Sequence, residues 1–212
     1  MDKTQVIKVL EQLNDKKRKF VQSYDLIVNL KDIDIKTKPV DAFVVLPHSR
    51  GKKIKVCALI AQELAEQASK ECDMAIRETD FDVYKDKIKS KSLAKKYDFF
   101  IAQATLMPQI AGAFGRSLGP RGKMPNPKAG CVVPPNANLS QLITRLQKTV
   151  AVKAKTAPVI QCTVGSEQMS NEEVADNIMM VYNTLLKMLP NEAQNVKCVY
   201  LKKSMSEPVK VW

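Results

Sequence analysis

Val56-Cys57-Ala58-Leu59-Ile60 is a short, wholly apolar run, and the alternation that begins with it decides the fold. A helical segment through Leu64 and Ala68 leads to a second apolar run, Met74-Ala75-Ile76. A lysine-rich helix from Tyr84 to Tyr97 then leads to a third, Phe99-Phe100-Ile101-Ala102. Short strands alternating with helices are the grammar of an α/β layer fold. Thr105 can cap a further helix that has Pro108 in its first turn and Ile110, Phe114 and Leu118 along one side. A glycine- and proline-rich loop and a helix through Leu139, Leu142, Ile143 and Leu146 complete the segment, so residues 53–152 are expected to form one compact α/β unit.

The flanks read differently. Val6, Ile7, Leu10 and Leu13 recur at helical spacing, and the pattern stops at Asn14-Asp15 and the basic elbow Lys16-Lys17-Arg18-Lys19. Tyr24, Leu26, Val28 and Leu30 alternate as in a half-buried strand, and Ala42 to Leu46 is a second β-rich run. After the middle segment come a strand from Val159 to Val164 and a helix opened by the capping box Ser170-Asn171-Glu172-Glu173. The helix carries Val174, Ile178, Val181, Leu185 and Leu189 on one stripe, and Pro190 closes it before a last strand from Val196 to Leu201. The breaker-rich stretches Pro47 to Lys52 and Lys153 to Pro158 are the candidate crossings. The expected organisation is a discontinuous α+β domain, residues 1–52 and 153–212, interrupted by an inserted domain, residues 53–152.

With 212 residues, 45% of them apolar, the chain can bury a real core. No run approaches the roughly 18 apolar residues of a membrane span, and the first residues lack the order of a signal peptide, so a cytosolic protein is expected. Five widely spaced cysteines, mostly set among Val, Ile and Ala, read as small buried hydrophobes, with no disulfide framework and no metal site. The formal charge of +12 favours a polyanionic partner, because each neutralised phosphate releases condensed counterions. The largest excess falls in residues 53–152, with 16 basic and 9 acidic side chains.

An α/β segment with glycines invites a nucleotide-binding, Rossmann-like enzyme as the competing reading. The spacing of Gly115 to Met124 fails it: a phosphate loop needs glycine where Ser117 stands and Ser or Thr where Met124 stands, and the dinucleotide fingerprint is absent. His48, the only histidine, has no nucleophile signature around it, so no catalytic residue and no cofactor is expected. The loop Gly119 to Lys128 combines glycine flexibility, proline stiffness and three cations, which fits a phosphate contact or a solvated connector equally. The elbow ends in Phe20, which can pack on a base or start the core; apolar residues after charge runs are usually buried, and the residues alone favour the core. The lysine-rich run Lys85 to Lys96 reads as a solvated helix face. Gln161 and Thr163 share a polar strand face that could meet RNA or water.

Several stretches together resemble the archaeal-type L-one ribosomal protein family: Arg18-Lys19-Phe20-x-Gln22-Ser23, Leu46-Pro47-His48-x-Arg50-Gly51-Lys52, Asp98 to Ala102, Leu106-Met107-Pro108, Leu118 to Pro125, Val133 to Asn138, and Val164-Gly165. The resemblance implies a split first domain that grips the rRNA of a mobile large-subunit stalk and an inserted three-layer Rossmann-like domain. A two-stranded hinge at Gly51, Lys52, Lys153 and Ala154 would join them. It implies exit-site tRNA and the protein's own mRNA leader as further partners, a cytoplasmic ribosomal location and a free monomer. It assigns RNA binding to Arg18, Lys19, Phe20, Gln22, Gln161, Thr163, Lys203, Ser204, Met205 and Ser206, and a functional loop to Gly119, Arg121, Gly122 and Lys123. One departure stands out. Where the family pattern has glycine and often proline, this chain has Ser206 and Glu207, a side chain at a close backbone approach and an anion beside phosphates.

Overall fold

The computed structural model describes residues 1–13, 18–35, 39–154 and 157–212; Lys16 and Lys17 of the basic elbow lie outside the described residues. The chain opens with helix α1 (Lys3–Leu13), which buries Val6, Leu10 and Leu13, followed by strands β1 (Ser23–Leu30) and β2 (Val40–Val45). It then builds β3 (Val56–Ile60), α2 (Ala65–Glu71), β4 (Met74–Arg77), α3 (Lys87–Lys96), β5 (Phe99–Gln103), α4 (Met107–Leu118), β6 (Val132–Val133) and α5 (Leu139–Gln147). It returns through β7 (Thr149–Ala154), β8 (Val159–Ser166), α6 (Asn171–Met188), β9 (Val196–Lys203) and β10 (Val209–Lys210). Two compact units result, Met1–Lys52 with Lys148–Trp212 and the intervening Lys53–Gln147.

The intervening unit is an α/β layer fold on a parallel sheet of order β4-β3-β5-β6. All five residues of β3 are buried, as a strand covered on both faces requires. Cys57, Leu59, Phe100 and Ala102 share a core with Leu93 and Ala94 of α3 and Ile110 and Phe114 of α4, and α2 packs with α5. Thr105 is not the cap of α4. It sits inside a 3-10 turn, Ala104–Leu106, and the helix starts one residue later with Pro108 in its first turn. The long helix expected from Tyr84 likewise divides into a 3-10 segment, Glu78–Lys85, and α3, whose first turn is capped by Asp86 accepting from Ile88 N.

In the terminal unit an antiparallel sheet of order β10-β9-β1-β8 places β1 at its centre. Its burial alternates strictly, with Tyr24, Leu26, Val28 and Leu30 inward, where α1 and α6 supply Leu10, Ile178, Val181 and Leu185 to the same core. The expected capping box at the start of α6 forms in full: Ser170 Oγ accepts from Glu173 N, and the Glu173 carboxylate accepts from Ser170 N.

A second sheet pairs β2 with β7, from Val40 with Ala154 to Val45 with Thr149. That pairing moves the second boundary from 152/153 to 147/148, because Thr149 to Val152 find their hydrogen-bond partners on β2. Lys153 and Ala154, expected to form part of a hinge, instead pair with Asp41 and Val40 within the terminal unit. On the other side of the crossing, the Gln147 side chain accepts from Ile54 N and donates to Ile54 O, both at 2.9 Å.

The first crossing is also pinned. Asn177 of α6, fully buried, accepts from His48 N at 3.1 Å and donates to Val164 O at 2.8 Å. Gly51 has φ +76°, and a Cβ there would stand 2.3 Å from Ser166 Cβ. Gly51→Ala is therefore expected to lower stability by about 2–4 kcal/mol through strain and overlap together. Denaturant melts of the two proteins check this, and a midpoint matching wild type would refute it.

Candidate nucleic-acid interface

The helices cover one face of the terminal sheet and leave the other open. Ser23, Asp25, Ile27 and Asn29 of β1 point outward, with Gln161 and Thr163 of β8 on one side and Tyr200 and Lys202 of β9 on the other. Asp25 lies between Thr163 and Lys202 in the ladder, and Ile27 between Gln161 and Tyr200. Asp25, Ile27, Gln161, Thr163 and Lys202 line, with Arg50, a shallow groove of about 470 Å³. Thr163 Oγ1 donates to Asp25 Oδ1 at 2.8 Å, so the hydroxyl's proton is used and its oxygen serves as an acceptor.

At the end of β9 the chain turns through Ser204, Met205 and Ser206. Ser204 continues the ladder, its N donating to Ser23 O at 3.1 Å and its Oγ accepting from Ser23 N at 3.3 Å. Met205 N donates to the Gln22 side-chain oxygen at 3.2 Å, and Gln22 N donates to Glu167 Oε2 at 3.1 Å. Lys203 Nζ donates to Glu167 Oε1 at 2.6 Å and lies 5.5 Å from the centre of the Tyr24 ring. One bracket thus ties together the segment before β1, the segment after β8 and the turn after β9. The hydrogen bond from Lys203, first among the causes, holds the Glu167 carboxyl below the ordinary carboxylate range.

This geometry corrects three expectations. Lys203 is only 2% exposed and Gln22 3%, so neither cation nor amide is presented to a phosphate; both are spent inside the bracket. Ser206 does not project outward either, because its Oγ accepts from Lys203 N at 2.8 Å and closes the turn. Glu207 is exposed beside it. What the bracket presents is apolar and cationic: Phe20 is 52% exposed and Met205 63%, next to exposed Arg18 and Lys19. The core role that the residues alone favoured for Phe20 is therefore wrong. A cleft of about 360 Å³ runs between Arg18, Phe20 and Gln168.

The loop of the intervening unit is also reassigned. Arg121 donates to Lys91 O at 3.1 Å, and Lys123 Nζ to Ala94 O at 3.1 Å and Tyr97 O at 2.7 Å. Lys123 thus satisfies carbonyls at the C-terminal end of α3, where the helix dipole is negative, and Arg121 a carbonyl of the middle of the helix. A Cβ on Gly119 would meet Gly115 O at 2.7 Å, and Gly122 takes φ +62° in the same turn, so both glycines serve the loop's path. At the turn after β3, where nucleotide folds hold phosphate, Ala61 N already donates to the buried Gln103 side chain, and Gln103 donates to Glu63. An acid there repels an anion. Burial pushes the thiols of Cys72 and Cys162 up to about 11 and about 12, which suits inert cysteines. Among the described residues no His, Cys, Asp and Glu group could hold a metal ion, and no helix is long and apolar enough to cross a membrane.

The Ribosomal protein L1p/L10e family profile matches residues 10–207. The chain belongs to this family. Large ribosomal subunit protein uL1 of Methanothermococcus thermolithotrophicus is 39% identical over 217 aligned residues, covering 100% of this chain and 99% of that protein. The uL1 proteins of Methanocaldococcus jannaschii, 40% identical over 100% of this chain and 96% of theirs, and of Pyrococcus abyssi, 42% over 92% and 89%, are similar across the same two units. An L1-family chain is a structural ribosomal protein of the cytoplasm rather than an enzyme. In this L1 chain the residues that sequence reasoning missed are Glu167, Asp25 and Lys202. Strand parity carried part of that signal: Lys203 shares the inward parity of Leu201, and Lys202 the outward parity of Tyr200.

Proposed function

We propose that the terminal unit binds the large-subunit rRNA of the mobile stalk through the bracketed turn and the open sheet face. The observation that carries this reading is the pair of exposed apolar side chains, Phe20 and Met205, set beside Arg18 and Lys19 on a turn fixed from behind by buried hydrogen bonds. Arg18 and Lys19 position phosphates, Phe20 and Met205 pack on a base or sugar, and Ser204, Thr163 and Gln161 hydrogen-bond the RNA. Gln22, Lys203 and Ser206 act by holding the turn. In the same reading the intervening unit moves on its two crossings and influences exit-site tRNA. The terminal unit also takes an rRNA-like element in the protein's own mRNA leader, repressing its translation.

The test separates phosphate from base contacts. Arg18→Gln with Lys19→Gln should make the log-affinity against log-salt line for a stalk rRNA fragment shallower by about 1.5 to 2, the counterions of two phosphates. An unchanged slope would remove those residues from the interface. Comparing the stalk fragment with the leader mRNA across salt decides which ligand dominates. Calorimetry with common nucleotides should give no micromolar binding, consistent with the occupied turn after β3.

A further inference from the structure

α3 carries Lys87, Lys89, Lys91, Lys95 and Lys96 in ten residues and no acid. All five lysines are exposed, while Ser90, Leu93 and Ala94 form the buried face. Lys87, Lys91 and Lys95 recur at i, i+4, i+8, so they stand in one row along the helix, about 6 Å apart in rise. An ordinary solvated helix face places Glu or Asp at those spacings, because like charges four residues apart destabilise a helix by a few tenths of a kcal/mol per pair. Here the neighbouring acids are committed elsewhere: Asp86 caps the helix, and Asp82 pairs with Lys85. Among the described residues no ion pair involves the five lysines.

The helix is nevertheless held firmly. Ser90 and Ser117 share a buried hydrogen bond of 2.6 Å, Arg121 donates to Lys91 O in the middle of the helix, and Lys123 caps the carbonyls of Ala94 and Tyr97 at its C-terminal end. The cationic loop thus stabilises α3 at its negative end and adds the exposed Arg121 beside Lys91. A fixed row of cations at this rise, without counter-charge, matches the phosphates along one nucleic-acid strand.

We propose that the Lys87-Lys91-Lys95 row of α3 is a second RNA-binding surface, which contacts phosphates without regard to sequence. It is separate from the turn of the terminal unit and does not depend on that assignment.

The test uses the full chain and a labelled RNA duplex of unrelated sequence. Lys87→Gln/Lys91→Gln/Lys95→Gln should weaken duplex binding at least fivefold near physiological salt and make the salt dependence shallower by about 2 to 3. The triple arginine variant should keep both properties. Lys55→Gln/Lys70→Gln/Arg77→Gln, which removes the same charge from exposed positions elsewhere on this unit, should keep the wild-type slope. So should Phe20→Ala/Met205→Ala, whose failure to bind stalk rRNA would concern only the terminal unit. Circular dichroism should show all variants folded, as fits exposed positions. The proposal is overturned if the α3 variant keeps wild-type affinity and slope, or if the distant triple loses as much. It is also overturned if binding depends on Phe20 and Met205 instead, or if phosphatidylserine vesicles rather than the duplex register the loss.

Discussion

Phe20→Ala should weaken binding of the stalk rRNA fragment by roughly 5- to 150-fold, the span of one lost aromatic–base stack of about 1–3 kcal/mol. Its salt dependence should stay as in wild type, because no charge is removed. Phe20 is half-exposed and makes no bond in the bracket, so its truncation should leave the melting midpoint almost unchanged, as surface substitutions do. Met205→Ala should act in the same sense and less strongly, since its backbone N–H, not its side chain, anchors the turn to Gln22. Titration of labelled RNA at several salt concentrations measures both quantities. Unchanged affinity in the double variant would remove the turn from the RNA interface.

The second large effect is on stability, and it should be lopsided. Glu167→Ala leaves the Lys203 ammonium, 2% exposed, without its acceptor, and a buried cation stripped of its partner costs about 3–5 kcal/mol. Lys203→Met should cost far less. Methionine fills a similar volume, and Glu167, partly exposed, keeps Gln22 N and water as partners. Glu167→Gln with Lys203→Met should recover most of what Glu167→Ala loses, since no charge then remains buried. The pH dependence is set by the direction of the Glu167 shift. A carboxyl held below its ordinary value stabilises the fold while ionised, and that contribution is lost as pH falls below the usual carboxylate range through the depressed value. The double variant should lack this part of the acid limb. Equal destabilisation by the two single variants would show that Lys203 is not buried in solution.

The terminal strands and the capping box of α6 were readable because period-two alternation and Ser-x-x-Glu act locally. The boundary near residue 150 was not, because Val150-Ala151-Val152 is an apolar run that either unit could have buried. Only the partner strand β2, more than a hundred residues earlier, settles it. The cations of the 119–123 loop looked available for phosphate for a similar reason: their acceptors on α3 and at its C-cap, Tyr97, lie 26 to 30 positions away, and no spacing rule announces them. Phe20 misled a rule that treats an apolar residue after a charge run as core.

The place of β1 also bears on how the chain is made. The intervening unit is complete once residue 147 has left the ribosome, with every strand pairing inside a continuous segment. β1 lies between β9 and β8, so the first strand synthesised keeps both edges bare until β8 emerges and one edge bare until β9 does. Its alternating face of Tyr24, Leu26, Val28 and Leu30 is then the nascent chain's longest-lived aggregation hazard, and the window in which a holdase has most to protect.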